Sequence, residues 1–417
     1  MPHPMSTQSP RPARRRRRPL LPLLLLLALL LGGCAALPSL PFFGPIHSSG
    51  CVEEGGPPDY GADVSSLSQE QEDAMLAYLD AWYAALARLE EADFSALFSD
   101  PLQARFNESA LALQVGLRTM TPGVDYSLTG YSYTLTVLEA GQEEDGTVSV
   151  LAQEASTQNF AQFPGVDARR GSNYHFFSLS PNGEGWLLAA HISFDTLASQ
   201  LLDTVSFEEL AQAYIDAAPS CLAQLQAARA RREADRGRPL ALPEADHPYD
   251  RQAALDYADA YAMSRNPEWA DYSDYGGNCQ NFASQCLCAG GIPMDIQGGA
   301  VWKWYGSTPS QTAEAQGRSA SWTGVGSFRS YALENTGFGL VSQVDAPYYA
   351  GQPGDLIQMG DATVWAHTVV IRQLVRDEAG QTVDYLIHSN TNDMENYPAS
   401  LYGYPELALI AIAGWND

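Results

Sequence analysis

The apolar residues of this chain change period near residue 120, which limits it to folds that mix helix with antiparallel sheet. From Ser68 onward, Met75, Leu76, Leu79, Trp82, Tyr83, Leu86 and Leu89 recur at three- and four-residue spacing, as on one face of a helix. Ser68 with Gln71 has the form of a capping box at its start. Beyond residue 120 the alternation is two. Residues 131–139, 147–153, 173–180 and 186–194 read as strands, and Pro181-Asn182-Gly183 as the turn between the last two. A long helix followed by an antiparallel meander predicts a smaller α+β unit over about residues 67–200. It contains no obvious catalytic cluster. His175 and His191 lie within strands and read as structural.

The 417 residues are enough for two or three cores, and a 45% hydrophobic fraction excludes wholesale disorder. Against 49 acidic groups stand 23 basic ones, a net charge of −26, which argues against nucleic acid as a partner. The basic groups are also unevenly placed. Arg11 and Arg14 to Arg18 form a block, an apolar run over residues 20–31 follows, and Gly32-Gly33-Cys34 closes it. A basic start, a short apolar run and small residues before a cut are the pattern of an export signal, and twelve residues are short for a membrane span. Leu31-Gly32-Gly33-Cys34 resembles the lipobox of bacterial lipoproteins. That resemblance implies a signal peptide over residues 1–33, cleavage before Cys34, lipid on its sulfur and anchorage to the outer face of a membrane; the alternative is plain secretion. Loss of six arginines and no acids would leave the mature chain still more acidic than −26.

Residues 34–66, rich in Pro, Gly and Ser, read as a flexible tether. Residues 201–246 read as a helical, charged linker, its densest charges over 227–238 taken as a solvated face. Pro239 and Pro243 break it, and residues 247–417 form the last unit.

Most of the chemistry lies there. Asp250 is the cap of a helix starting at Arg251. A Gly-Gly pair precedes Asn278-Cys279-Gln280, and residues 279–289 read as a helix ended by Gly290 and Gly291. A cysteine at a helix N-terminus meets the dipole and free N–H groups that favour a thiolate and stabilise an oxyanion. His367 opens an apolar β-branched run, and His388 ends another, with a hairpin loop over 376–380 between them. Two antiparallel strands would bring both imidazoles to one end of a sheet, the logic of a cysteine, a base and an orienting group.

Several motifs occur in order: Tyr249-Asp250-Arg251-Gln252-Ala253-Ala254, Asn278-Cys279-Gln280-Asn281-Phe282-Ala283-Ser284-Gln285-Cys286-Leu287, Ser321-Trp322-Thr323, Gly354-Asp355-Leu356-Ile357-Gln358 and Trp365-Ala366-His367-Thr368. Together they resemble the putative amidase domain of Gram-positive exported proteins, itself similar to the NlpC/P60 and CHAP cysteine peptidases. The resemblance covers residues 247–417 and implies a papain-like α+β fold and hydrolysis of an amide or peptide bond. Carried over, Cys279 is the nucleophile and His367 the base that keeps it ionised. His388 is the third residue, with Asn390 as its rival. The N–H groups of Cys279 and Gln280 supply the oxyanion hole, to which the Asn278 side chain is another candidate contributor. Asp355 reads as a turn residue. No metal or cofactor is implied. The expected partner is a peptide or amide, plausibly peptidoglycan. Two other readings fit the same residues: a non-catalytic wall-binding or scaffolding lipoprotein, and an acyl-transfer enzyme in which an amine resolves the thioester.

The remaining cysteines carry less. Cys286 reads as packing, Cys288 is unassigned, and Cys51 with Cys221 is a weak candidate disulfide. Trp302, Trp304 and Tyr305 read as a strand's core face or the wall of a substrate groove.

Overall fold

The first helix begins where its capping box stands. Gln71 N–H donates to the Ser68 hydroxyl, and the Gln71 side chain accepts from Ser68 N–H at 2.8 Å, opening α1 (Gln69–Arg88). A computed structural model describes residues 45–50 (as backbone), 67–183, 185–193, 195–201, 206–273, 276–297, 301–304, 317–361 and 363–417. Cys34, Cys51 and Tyr305 lie outside these residues. A second helix, α2 (Pro101–Thr119), follows, with Asp100 accepting from Leu102 N–H and Pro101 in the first turn. The sequence reading did not separate this helix from α1.

The strands are β1 (Pro45–Gly50), β2 (Leu128–Gln142), β3 (Val148–Phe160), β4 (Ala168–Asn182) and β5 (Gly185–Ser193), the last two joined at Gly183 with φ +64°. Then come α3 (Thr196–Gln200), α4 (Phe207–Ala234), the short β6 (His247–Pro248) and α5 (Arg251–Tyr261), capped by Asp250 as expected. The chain continues through α6 (Cys279–Ala289), α7 (Ala320–Thr323), α8 (Val325–Glu334), β7 (Gly339–Ala346), β8 (Leu356–Gly360), β9 (Trp365–Arg376), β10 (Thr382–Ser389), β11 (Met394–Pro398) and β12 (Glu406–Asn416). Among the described residues no helix is long and apolar enough to cross a membrane.

The architecture is mixed α and β around one large antiparallel sheet. Its order is β1-β2-β3-β4-β11-β10-β9-β8-β12-β6, with β5 also on β4 and β7 on β12. The strands of the two halves of the chain therefore share one sheet. The seam is short: Arg169 faces Glu395 and Arg170 faces Met394 in register, and Gly171 N–H donates to Asp393 O at 2.7 Å. Alternation along the strands then sorts two cores. Ile357, Met359, Val369 and Ile371 face the core shared with α1, α2 and α4, while Leu356 and Val370 face the core built with α5, α6 and α8.

The charged end of α4 was expected to be a solvated linker. It instead reaches the last unit. Arg236 donates to Thr382 O at 2.6 Å, Arg232 to Pro405 O at 3.3 Å, and Arg231 pairs with Glu406 at 2.8 Å. Long guanidinium arms find backbone carbonyls at strand ends, which composition alone does not reveal.

Candidate active site

The turn before α6 is built by glycine. Gly276 and Gly277 have φ values of +95° and +116°, which side chains rarely adopt. The turn delivers Asn278 as N-cap, and its amide is fully employed: Oδ1 accepts from Tyr272 N–H at 3.0 Å and from Asn281 Nδ2 at 2.8 Å, while Nδ2 donates to Asn390. Cys279 then opens the helix and is buried. Backbone N–H groups of Thr368, Gln280 and Cys279 and the Thr391 hydroxyl are near enough to its sulfur to favour the thiolate. The first-turn N–H groups lack partners within the helix, as at every helix start. They are the donors expected for the oxyanion hole. The Gln280 side chain is not available for it: Oε1 accepts from the Thr368 hydroxyl at 2.8 Å, and Nε2 donates to Ser284 Oγ at 3.3 Å.

His367 lies on β9, one residue before the Thr368 whose N–H meets the thiol. Its Nε2 is 2.9 Å from Ser389 Oγ, and its ring lies 5.2 Å from that of Tyr402. Nδ1 is thus the nitrogen left for a thiol. His388 and Asn390 do not meet this ring. His388 Nε2 is 2.8 Å from Asp259 on α5, and its Nδ1 accepts from Asn396 N–H. Asn390 Nδ2 donates to Tyr261 O and Ser264 O, both at 2.8 Å, and Oδ1 takes the Asn278 amide, so it ties the end of α5 to the nucleophile's turn. The residue that touches His367 is Ser389, between them, which the sequence reading missed. The polar run Ser389-Asn390-Thr391 at a strand's end was the available signal.

Burial dominates the electrostatics. It pushes the Cys279 thiol above its usual range, against the N–H and hydroxyl groups that pull it down. It pushes His367 down to about 4. Each shift taken by itself favours the uncharged form, a thiol at Cys279 and a neutral imidazole at His367. A dry site penalises both charges of the expected ion pair.

Other expected residues have structural work. Asp355 accepts from Arg251 at 2.8 Å and from Ile412 N–H at 2.9 Å. Trp302 is fully buried, stacks on Trp322 with ring centroids 4.7 Å apart, and donates to Ser284. It is core rather than groove. Cys286 is fully buried in the same core, and Cys221 has no disulfide partner among the described residues.

Comparison with known families follows this geometry. Residues 248–411 match the family described as Putative amidase domain. The match points to amide hydrolysis, action on a C–N bond. A curated relative, "Uncharacterized protein YhbB" of Bacillus subtilis strain 168, is 37% identical over 109 residues, 26% of this chain. The match spans about a third (32%) of that relative. No solved structure matches.

The amidase segment does not wall its site alone. A cavity of about 400 Å³ runs between it and the first unit, and His367, Tyr402 and Tyr404 line one end. Cys279 is not among the lining residues, but Tyr404 is near enough that its hydroxyl is pushed up chiefly by burial and then by a thiolate at Cys279. The opposite wall carries a buried relay. Tyr83 donates to Glu154, Glu154 meets His175 Nε2 at 2.8 Å, His175 Nδ1 meets His191 Nε2 at 3.0 Å, and His191 Nδ1 meets Asn107 at 2.7 Å. Burial alone would push Glu154 up, but His175, Arg170 and Tyr83 outweigh it and bring the carboxyl down to about 2. Burial, then the charge of His175, pushes His191 well below the usual imidazole range.

Proposed function

We propose that the chain is a cysteine amidase or peptidase that cleaves an amide bond through Cys279 and His367. The observation that carries this reading is the convergence at the start of α6. A buried thiol opens the helix, Thr368 is among the groups that lower its pKa, and the residue before Thr368 is a histidine whose Nε2 is held by Ser389. Such a pair works without a resting ion pair. As the thiol attacks the carbonyl, His367 Nδ1 takes its proton, and the S–C bond forms while the carbonyl oxygen becomes an oxyanion facing the N–H groups of Cys279 and Gln280. His367 returns that proton to the leaving nitrogen, the C–N bond breaks, and water hydrolyses the thioester. Ser389 acts as a positioning residue for the imidazole. The family match supports the reaction class, and the papain-like resemblance supports this division of roles.

A peptidyl electrophile tests the assignment. Mass spectrometry is expected to find it on Cys279 and not on the buried Cys286, with amide hydrolysis lost in proportion to labelling. Full activity with Cys279 modified would overturn the mechanism.

We also propose that the protein is held at the outer face of the cell membrane by lipid on Cys34, where cell-wall peptide is the nearest amide-rich substrate. The basic block, the apolar run and the Leu31-Gly32-Gly33-Cys34 motif support this. Cys34→Ala is expected to move the protein from the membrane fraction to the soluble one; unchanged fractionation would rule the lipid anchor out.

A further inference from the structure

The cavity holds two guanidinium groups that no carboxylate bonds among the described residues. Arg118, on α2, is 2% exposed and among the described residues meets neutral groups: Gln114 Oε1 at 2.9 Å, Gln114 O and Gln158 Oε1 each at 3.4 Å, and the Tyr397 hydroxyl. Arg170, on β4 at the sheet seam, lies over the Tyr397 ring at 5.8 Å. The Nε atoms of both are buried without a partner. The two groups are close enough to repel each other. Buried cations in this state are costly unless something pairs them.

The cavity's own acids are already committed. Glu154, the nearest to Arg170, takes hydrogen bonds from Tyr83, Asn173 and the His175 ring. Asp195 takes Ala198 N–H at 2.7 Å and the Tyr214 hydroxyl at 2.5 Å. Asp361 is held by Thr363 and by Val364 N–H in its own loop. Two guanidinium groups facing one neighbouring carboxylate leave a positive balance at this wall, in a chain whose net charge is −26.

The pair is also placed relative to the chemistry. Arg170 stands over Tyr397, the Tyr397 and Tyr402 rings are 6.0 Å apart, and Tyr402 lies against His367 at 5.2 Å. A continuous wall therefore leads from the cations to the base. We infer that Arg170, backed by Arg118, binds a free carboxylate of the substrate, so that the amide cleaved at His367 belongs to a short acylated peptide or amino acid carrying a carboxylate a few bonds away. A planar guanidinium matches a carboxylate with two parallel hydrogen bonds, and a cavity of about 400 Å³ suits a ligand of that size. This inference rests on the amidase reading for the identity of the bond cleaved, but not for the binding itself.

Binding is therefore tested apart from turnover, in full-length protein carrying Cys279→Ala. The probes are N-acetyl-alanyl-alanine, its C-terminal carboxamide and inorganic phosphate, followed by calorimetry. The free acid is expected to bind about 30-fold tighter than the carboxamide or more, and Arg170→Gln to erase the difference. Arg170→Lys keeps the charge but not the fork, and is expected to keep only part of it. Should Arg170→Gln fail to fold, the Lys variant decides, and an unreduced preference there overturns the inference. Equal binding of acid and carboxamide, a preference that survives Arg170→Gln, or binding of phosphate alone overturns it too. If the preference stands while hydrolysis survives Cys279→Ala, the amidase mechanism fails and the carboxylate site does not.

Discussion

Cys279→Ala is expected to lower kcat/KM for amide hydrolysis on the order of 10⁴-fold or more, with the fold intact. The magnitude follows from removing the atom that makes the covalent bond; what remains is the catalysis that binding and oxyanion donors give unaided. The fold should hold because the deletion is small. One buried sulfur is lost at the edge of the core, a cost of about 1 kcal/mol. Cys286→Ala is the matched control. That sulfur is also buried, about two turns along the same helix, so its loss should cost similar stability and leave turnover alone. Hydrolysis at the wild-type rate in the Cys279 variant, with a wild-type melting curve, would remove the thiol from the mechanism.

His367→Ala should cost about 10²- to 10⁴-fold in kcat/KM, the usual yield of a positioned acid–base group. The pH dependence is the more specific readout. Burial holds His367 at about 4, so the imidazole is neutral and able to accept a proton throughout the range above that. The acid limb of kcat/KM in the wild type should fall near pH 4 rather than near the usual histidine value. Its alkaline side should extend past the ordinary thiol range, because burial pushes Cys279 up. Stability follows the same sign. Between the usual imidazole pKa and about 4 the unfolded chain binds the proton that the folded chain refuses, so this residue's contribution weakens as pH falls through that window. An acid limb at about 6.5 would show the ring to be solvated and would remove the neutral-pair mechanism.

Local signals were legible in the sequence because each needs only a few neighbours. Ser68 and Gln71 make their box, Asp250 caps its helix at Ala253 N–H, and Gly276 and Gly277 turn the chain into Cys279 at the first position of α6. The strand carrying His367 and the hairpin to β10 were equally readable, since alternation and a Gly-containing loop suffice. What could not be read was direction and pairing at a distance. Neighbouring residues on a strand point to opposite faces. The sequence draws attention to His388, whereas the side chain that reaches His367 is the Ser389 beside it, and His388 turns to Asp259 across the fold. The cavity is harder still to foresee. Arg118 sits on a helix that the sequence reading did not separate, and Arg170 on a strand whose partner, β11, lies more than two hundred residues away.

The short seam between β4 and β11 divides the labour of the molecule in an unusual way. Nucleophile, base and oxyanion donors all belong to residues 248–411, the stretch that carries the family match. The guanidinium wall belongs to residues outside it, held by the seam, by a shared core and by the α4 arginines. On these proposals, reaction and choice of substrate are encoded in separate lengths of polypeptide. A chain that exchanged its first half would have to preserve the face of that core to acquire a new diet with its chemistry untouched.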